Sequence, residues 1–224
     1  MEHVGDIVEP QAQLDVLHGR LRACRRCAEA GYFIGSRPVF SGPASARVMV
    51  VGQAPAKVET GQAGRPFGLR RGKRRSLLWA WLEQAGWTEA EFRAGHYLSA
   101  ITKCYPGPGQ NGRGDRLPTA AERALCRPWL EQELAIVRPK IILPIGRVAI
   151  EWFLPELKDQ PLESFVGQVF ERAGLAIVPL PHPSGVSRWL NRPENRARVA
   201  AALVRLKNID ESYCSARWDS GRRG

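Results

Sequence analysis

The stretch "KIILPIGRVAIEWFL", Lys140 to Leu154, decides the fold. An unbroken apolar run ends at Gly146, and an amphipathic segment starts at once. A strand that is apolar at every position is buried on both faces, as in a parallel sheet covered by helices. "RVAIEWFL" (147–154) reads as the helix that returns over that sheet. "RVMVVG" (47–52), "HYLSAIT" (96–102) and "GLAIVPLPH" (174–182) have the same character as "KIILPIG" (140–146), so four buried strands are expected.

Helical patterns fill the intervals. "LDVLHGRLRAC" (14–24) precedes the first strand. "RRSLLWAWLEQAG" (74–86) sets Leu77, Leu78, Trp81 and Leu82 at helical spacing and stops at Gly86. "TAAERALCRPWLEQELAIV" (119–137) opens with the capping pair Thr119 and Glu122. "PENRARVAAALVRLKNI" (193–209) carries Pro193 in its first turn. The alternation predicts an α/β protein: a three-layer α/β/α sandwich around a central four-stranded, mainly parallel sheet. One domain over 1–209 and a basic, flexible tail over 210–224, "DESYCSARWDSGRRG", are expected. In open parallel sheets ligands bind beyond the carboxyl ends of the strands. That rule selects the loop after Gly52, the segment after Thr102, the turn at Gly146 and the loop after His182.

Charge points to the partner. Lys and Arg number 33 against 22 acids, a net +11, which suits a polyanion, nucleic acid above all. No apolar run approaches the ~18 residues of a membrane span, and the start "MEHVGDIVEP" lacks the apolar core of a signal peptide. A cytoplasmic, nucleoid-associated monomer is expected, its cysteines serving as thiols or metal ligands before disulfides. Cys24 and Cys27 form a C-x-x-C. Cys104 ends the second predicted strand, and Cys126 lies in the helix that starts at Thr119. Four such thiolates suit zinc or an iron–sulfur cluster, and spacing does not choose between them. Read as packing, Cys104 and Cys126 are simply small buried hydrophobes.

Two loops carry candidate chemistry. In "VVGQAPAKVETGQAGRPFG" (50–68) Gly52 ends the strand, Pro55 stiffens the turn and Phe67 supplies one aromatic ring. The stretch matches neither phosphate-binding fingerprint. A rigid loop with backbone amides and a single ring suits a planar heterocycle, the ring stacking on the base. It is followed by Arg65, Arg70, Arg71, Lys73, Arg74 and Arg75, six cations in eleven residues leading into a helix start, a clamp for a phosphate backbone. In "PLPHPSGVSRW" His182 ends a buried strand between two prolines, with Ser184, Ser187, Arg188 and Trp189 following.

Together these pieces make the chain resemble the uracil-DNA glycosylase superfamily, in particular its iron–sulfur branches, families 4 and 5. The resemblance runs over about 20–208. It rests on Cys24 and Cys27, "GQAPA" (52–56, near GEAPG and GLAPA), "GRPF" (64–67), "KCYPGPG" (103–109), the run from Pro118 to Ala149, and "HPSGVS" (182–187, like HPSPLS). It implies a monofunctional hydrolase that flips uracil or a related deaminated base out of DNA and cuts its glycosidic bond. It implies that Cys24, Cys27, Cys104 and Cys126 ligate a [4Fe–4S] cluster. By the same resemblance Phe67 stacks on the flipped base, and His182 hydrogen-bonds the base oxygen that gains charge. Val186 takes the place of the wedge that enters the stack, beside Ser187 and Arg188. Gly52, Ala54, Ser99, Ala100 and Ser184 complete the base pocket.

The chain departs from the family pattern at three polar positions. Gln53 stands where family 4 has a water-orienting Glu, Arg70 where family 5 has an Asp, and Ala100 where family 4 has a base-reading Asn. Glutamine positions a water but takes no proton from it. An additional Gly-rich stretch, "GPGQNGRGD", separates Cys104 from Cys126, and Gln53, Glu59, Ser99 and Asp115 are the candidate substitutes. The departures leave room for a binder of damaged or single-stranded DNA without turnover on the same scaffold, or, more distantly, a small-molecule α/β enzyme with a zinc site.

Overall fold

Strand β1 (Val48–Gly52) lies inside the sheet, its four valine and methionine side chains fully buried. The computed structural model describes residues 9–59, 65–68, 76–112, 114–183 and 188–220, without the side chains of Val58 and of 214–220. β1 pairs in parallel with β2 (Tyr97–Ala100) on one side and with β3 (Ile141–Pro144) on the other. β3 pairs in parallel with β5 (Leu175–Ile177), and β4 (Phe170–Arg172) closes the edge antiparallel to β5. The order is β2-β1-β3-β5-β4.

The sheet therefore has five strands where the sequence predicted four. The additional strand, β4, is partly to fully exposed and reads Phe-Glu-Arg, so it lacks the apolar run that marked the others. It turns into β5 through Ala173 and Gly174, both at positive φ (49° and 77°), the backbone that a two-residue hairpin demands.

The helices form two groups. α1 (Pro10–Arg22) and the short α2 (Arg26–Glu29) pack on α5 (Ala120–Val137), while α3 (Leu77–Gln84) packs on α4 (Glu89–Gly95) and α7 (Pro193–Ser220). α6 (Arg147–Phe153) follows β3 through Gly146 and lies on β1 and β3. The predicted pair Thr119–Glu122 is a complete capping box at the start of α5. α4 was not expected. It stands on a second complete box, Thr88 and Glu91, each such box contributing about 1 kcal/mol.

The expected break at 209 is corrected. α7 continues to Ser220, and Asp210, counted with the tail, is buried and pairs with Arg47 just ahead of β1. An ion pair across the fold, not local composition, carries the helix onward. Among the described residues no helix is long and apolar enough to cross a membrane.

Candidate functional site

β1 and β3 end together. Val51 pairs with Pro144, and the Ile145 amide donates to the Val51 carbonyl at 2.8 Å. Just beyond lie two glycines, each with a side chain resting on it. A Cβ on Gly52 would stand 3.1 Å from Phe67 Cζ; one on Gly146, which has φ +79°, would stand 3.5 Å from His182 Cβ and Cδ2. The Gly146 amide donates to Leu180 at 2.9 Å, which draws in the chain leading to His182. Phe67 and His182 thus occupy neighbouring strand ends, where strands are spaced by roughly 5 Å.

Phe67 is held there against backbone strain. Its φ is +53°, a region that costs a non-glycine residue about 1–3 kcal/mol. Trp79 Nε1 donates to the Phe67 carbonyl at 2.9 Å, and Arg93 donates to the Pro66 carbonyl at 2.9 Å and to Phe67 at 3.4 Å. Arg93 also lies 4.3 Å over the Trp79 ring. α3 and α4 therefore brace the loop from below. Glu59 braces it from within: its Oε2 accepts the Ala56 amide at 3.0 Å. Burial pushes the Glu59 carboxyl up to about 7, while the Ala56 and Phe67 amides and then Arg93 act in the opposite sense and Asp115 adds to the rise.

The His182 imidazole is open to solvent on one side and packed on Gly146 on the other. Loss of solvation lowers its pKa below the ordinary imidazole value, and Asp115 opposes that shift. A neutral imidazole has one N–H to give. Gln53 joins the site through its carbonyl, which accepts from the Thr102 amide at 3.2 Å; its side-chain amide makes no hydrogen bond among the described residues.

A second feature lies on the far side of the Ile101–Cys104 segment. Cys24, Cys27, Cys104 and Cys126 all line one cavity of about 380 Å³, together with Arg22, Arg26 and Trp129 among others. The predicted grouping of the C-x-x-C with the two later cysteines is present. Trp129 Nε1 donates to Cys24 Sγ at 3.2 Å and the Lys103 amide to Cys126 Sγ at 3.3 Å. Burial, then the neighbouring sulfurs, pushes Cys27 up to about 11 and Cys104 up to about 12, and burial likewise raises Cys126. Among the described residues no three His, Cys, Asp or Glu side chains close on a single metal ion; the sulfurs stand around a volume.

A family model for the uracil DNA glycosylase superfamily matches residues 39–207. The chain belongs to the uracil-DNA glycosylase superfamily. It is 25% identical over 190 residues to a type-4 uracil-DNA glycosylase of Thermotoga maritima, covering 83% of this chain and 88% of that one. A type-4 enzyme of Archaeoglobus fulgidus is 28% identical over 206 residues (88% and 92%), and a type-5 enzyme of Pyrobaculum aerophilum 30% over 198 (78% and 84%).

Of the residues singled out by the superfamily resemblance, Gly52, Gln53, Ala54, Phe67 and His182 gather at the strand ends. Ser99 does not. Its side chain is 1% exposed, and its hydroxyl donates to Glu133 at 2.8 Å and accepts from Lys103 Nζ at 2.6 Å. Ala100 is likewise buried, and its carbonyl accepts from Lys103 Nζ at 2.6 Å. Arg65 and Arg188 are exposed. Arg70, Arg71, Lys73, Arg74, Arg75, Ser184, Val186 and Ser187 lie outside the described residues. The sequence reading missed Trp79, Arg93 and the buried pair Lys103–Glu133 at 2.7 Å, which Tyr97 and His18 extend by bonds of 3.1 and 2.8 Å. The lysine inside an otherwise apolar stretch was the available signal.

Proposed function

We propose that the protein removes uracil, or a related deaminated base, from DNA by hydrolysing its N-glycosidic bond and leaving an abasic site. The observation that carries this reading is the seating of Phe67 on Gly52 and of His182 on Gly146 at neighbouring strand ends. One side chain offers a ring face and the other a hydrogen-bond donor to the same space, which is what a flat, extruded base requires.

Extrusion costs a few kcal/mol. Contacts of Arg65, the 70–75 cations and Arg188 with phosphates, and Val186 entering the stack, offset it. Phe67 then stacks on the base, and the Gly52–Ala54 backbone and Ser184 meet its edge. As the C1′–N bond breaks, His182 donates to the oxygen that gathers negative charge; one such donor is worth roughly 3–4 kcal/mol. Gln53 orients a water. Cys24, Cys27, Cys104 and Cys126 suit a [4Fe–4S] cluster better than a lone ion: four thiols surround a cavity, and two N–H groups already point at sulfur. When bound, the cluster supplies a cross-link between the α1–α2 turn, the segment after β2, and α5.

Incubation with a uracil-bearing oligonucleotide, then alkali, should cleave the strand, with hypoxanthine and xanthine substrates ranking the lesions. Release of no deaminated base from single- or double-stranded DNA would sink the reading. Gln53, which cannot accept a proton, favours one competitor, a DNA binder without turnover. Product formation that disappears in His182→Ala excludes it.

A further inference from the structure

The additional Gly-rich stretch folds as a pinned hairpin. Pro108 and Asp115 form an antiparallel bridge, the Arg116 amide donates to Gly107 at 3.0 Å and the Gly109 amide to Gly114 at 3.0 Å. Its root is fastened from outside. Phe33 presses on Gly107, where a Cβ would meet Phe33 Cδ1 at 2.9 Å. Arg116 lays both guanidinium nitrogens on Glu122 at 2.7 and 2.6 Å, and Glu122 belongs to the α5 capping box. Asp115 therefore sits at the fixed base of the hairpin and not at its tip.

Its carboxylate is exposed and makes no ion pair among the described residues. The adjacent cation is committed to Glu122. The Tyr105 hydroxyl lies close enough for Asp115 to act on it, yet is buried without a hydrogen-bond partner. Asp115 also acts electrostatically on both His182 and Glu59, which belong to two different strand-end loops. Three loops thus converge, and Asp115 is on the third side of the cleft that Phe67 and His182 bound.

We propose that Asp115 is the carboxylate of this active site, facing the deoxyribose of the extruded nucleotide. The proposal rests on the base-excision reading. The C1′–N bond breaks with its electron pair leaving on the base, whose oxygen His182 holds. Asp115 stabilises the positive charge at C1′ and orients the water that adds there. The water's proton passes to Asp115 and then to solvent, from which the departing base is protonated. Gln53 cannot take that proton. Glu59 is buried and turned onto the loop amides, so it is not available either.

The test is binding of the full-length protein to two oligonucleotides, one with a cationic pyrrolidine in place of the deoxyribose, the other with a neutral tetrahydrofuran. The wild type is expected to favour the cation by about tenfold or more. Asp115→Asn should bring the ratio near one with the neutral affinity kept, and Asp115→Glu should restore part of it. A wild type without preference, or an Asp115→Asn protein that keeps it, overturns the proposal. The readout is independent of turnover: an inactive wild type that still favours the cation defeats the excision reading alone.

Discussion

The cleft at the strand ends and the cysteine cavity share the Ile101–Cys104 segment but are held together differently. On the cleft side the Ile101 amide donates to Gly52 at 2.8 Å and the Thr102 amide to Gln53. On the cavity side the Lys103 amide reaches Cys126. Every costly feature of the cleft has a protein partner: the left-handed Phe67 has Trp79 and Arg93, and the buried Glu59 has loop amides. The cavity thiols have few. Burial and mutual repulsion disfavour their thiolates, so their stabilisation must come from what they bind. The cleft is built in advance by the chain; the cavity is completed by a ligand, and its disorder would reach the cleft through four residues.

The largest expected effect divides the two regions. Cys104→Ser or Cys126→Ser should remove iron and visible absorbance and cost on the order of 5 kcal/mol or more, since metal-site binding energy is folding energy. Urea unfolding with iron analysis checks this; a colourless wild type of unchanged stability would break the comparison. Next comes the buried pair beneath both. Lys103→Met leaves Glu133 uncompensated and should cost about 3–5 kcal/mol, much of it recovered when Glu133→Leu is added. The urea midpoints of the single and double variants decide. His182→Ala should lower the single-turnover rate roughly 10²–10³-fold while the urea midpoint stays in place, because the cleft does not depend on that side chain for its folding.

Glu59 supplies a signed pH effect. Its folded carboxyl titrates near 7 against 4.5 when unfolded. Between those values the unfolded chain has lost the proton and the folded one keeps it, so stability falls as pH rises, by up to about 3 kcal/mol. Glu59→Gln should flatten that slope relative to wild type between pH 5 and 8 in urea titrations; parallel slopes would show that Glu59 is not the cause. Smallest is Gly52→Ala. Its Cβ would press on a phenyl ring that Trp79 and Arg93 keep from retreating. A loss of roughly 1 kcal/mol in substrate binding is expected, read by fluorescence anisotropy.

The sequence made the inner strands legible because parallel strands are apolar at every position. β4 carries two charges in three residues, so burial pattern could not reveal it. The extension of α7 depends on Arg47, far away in the chain. Phe67 and His182 were legible because each follows a strand in a Gly- or Pro-rich loop. Ser99 misled because a strand buried on both faces gives no sign of which face meets the ligand. Trp79 and Arg93 stayed hidden because they hold backbone carbonyls, a role that leaves no mark in residue type.

The most direct measurement is a double-mutant cycle between Phe67→Ala and His182→Ala on the single-turnover release of uracil. If ring and imidazole grip one base, the two losses should fall short of additivity by about 1 kcal/mol or more. Losses that add to within about 0.5 kcal/mol would mean that the two side chains act on separate parts of the substrate, contrary to a single shared cleft.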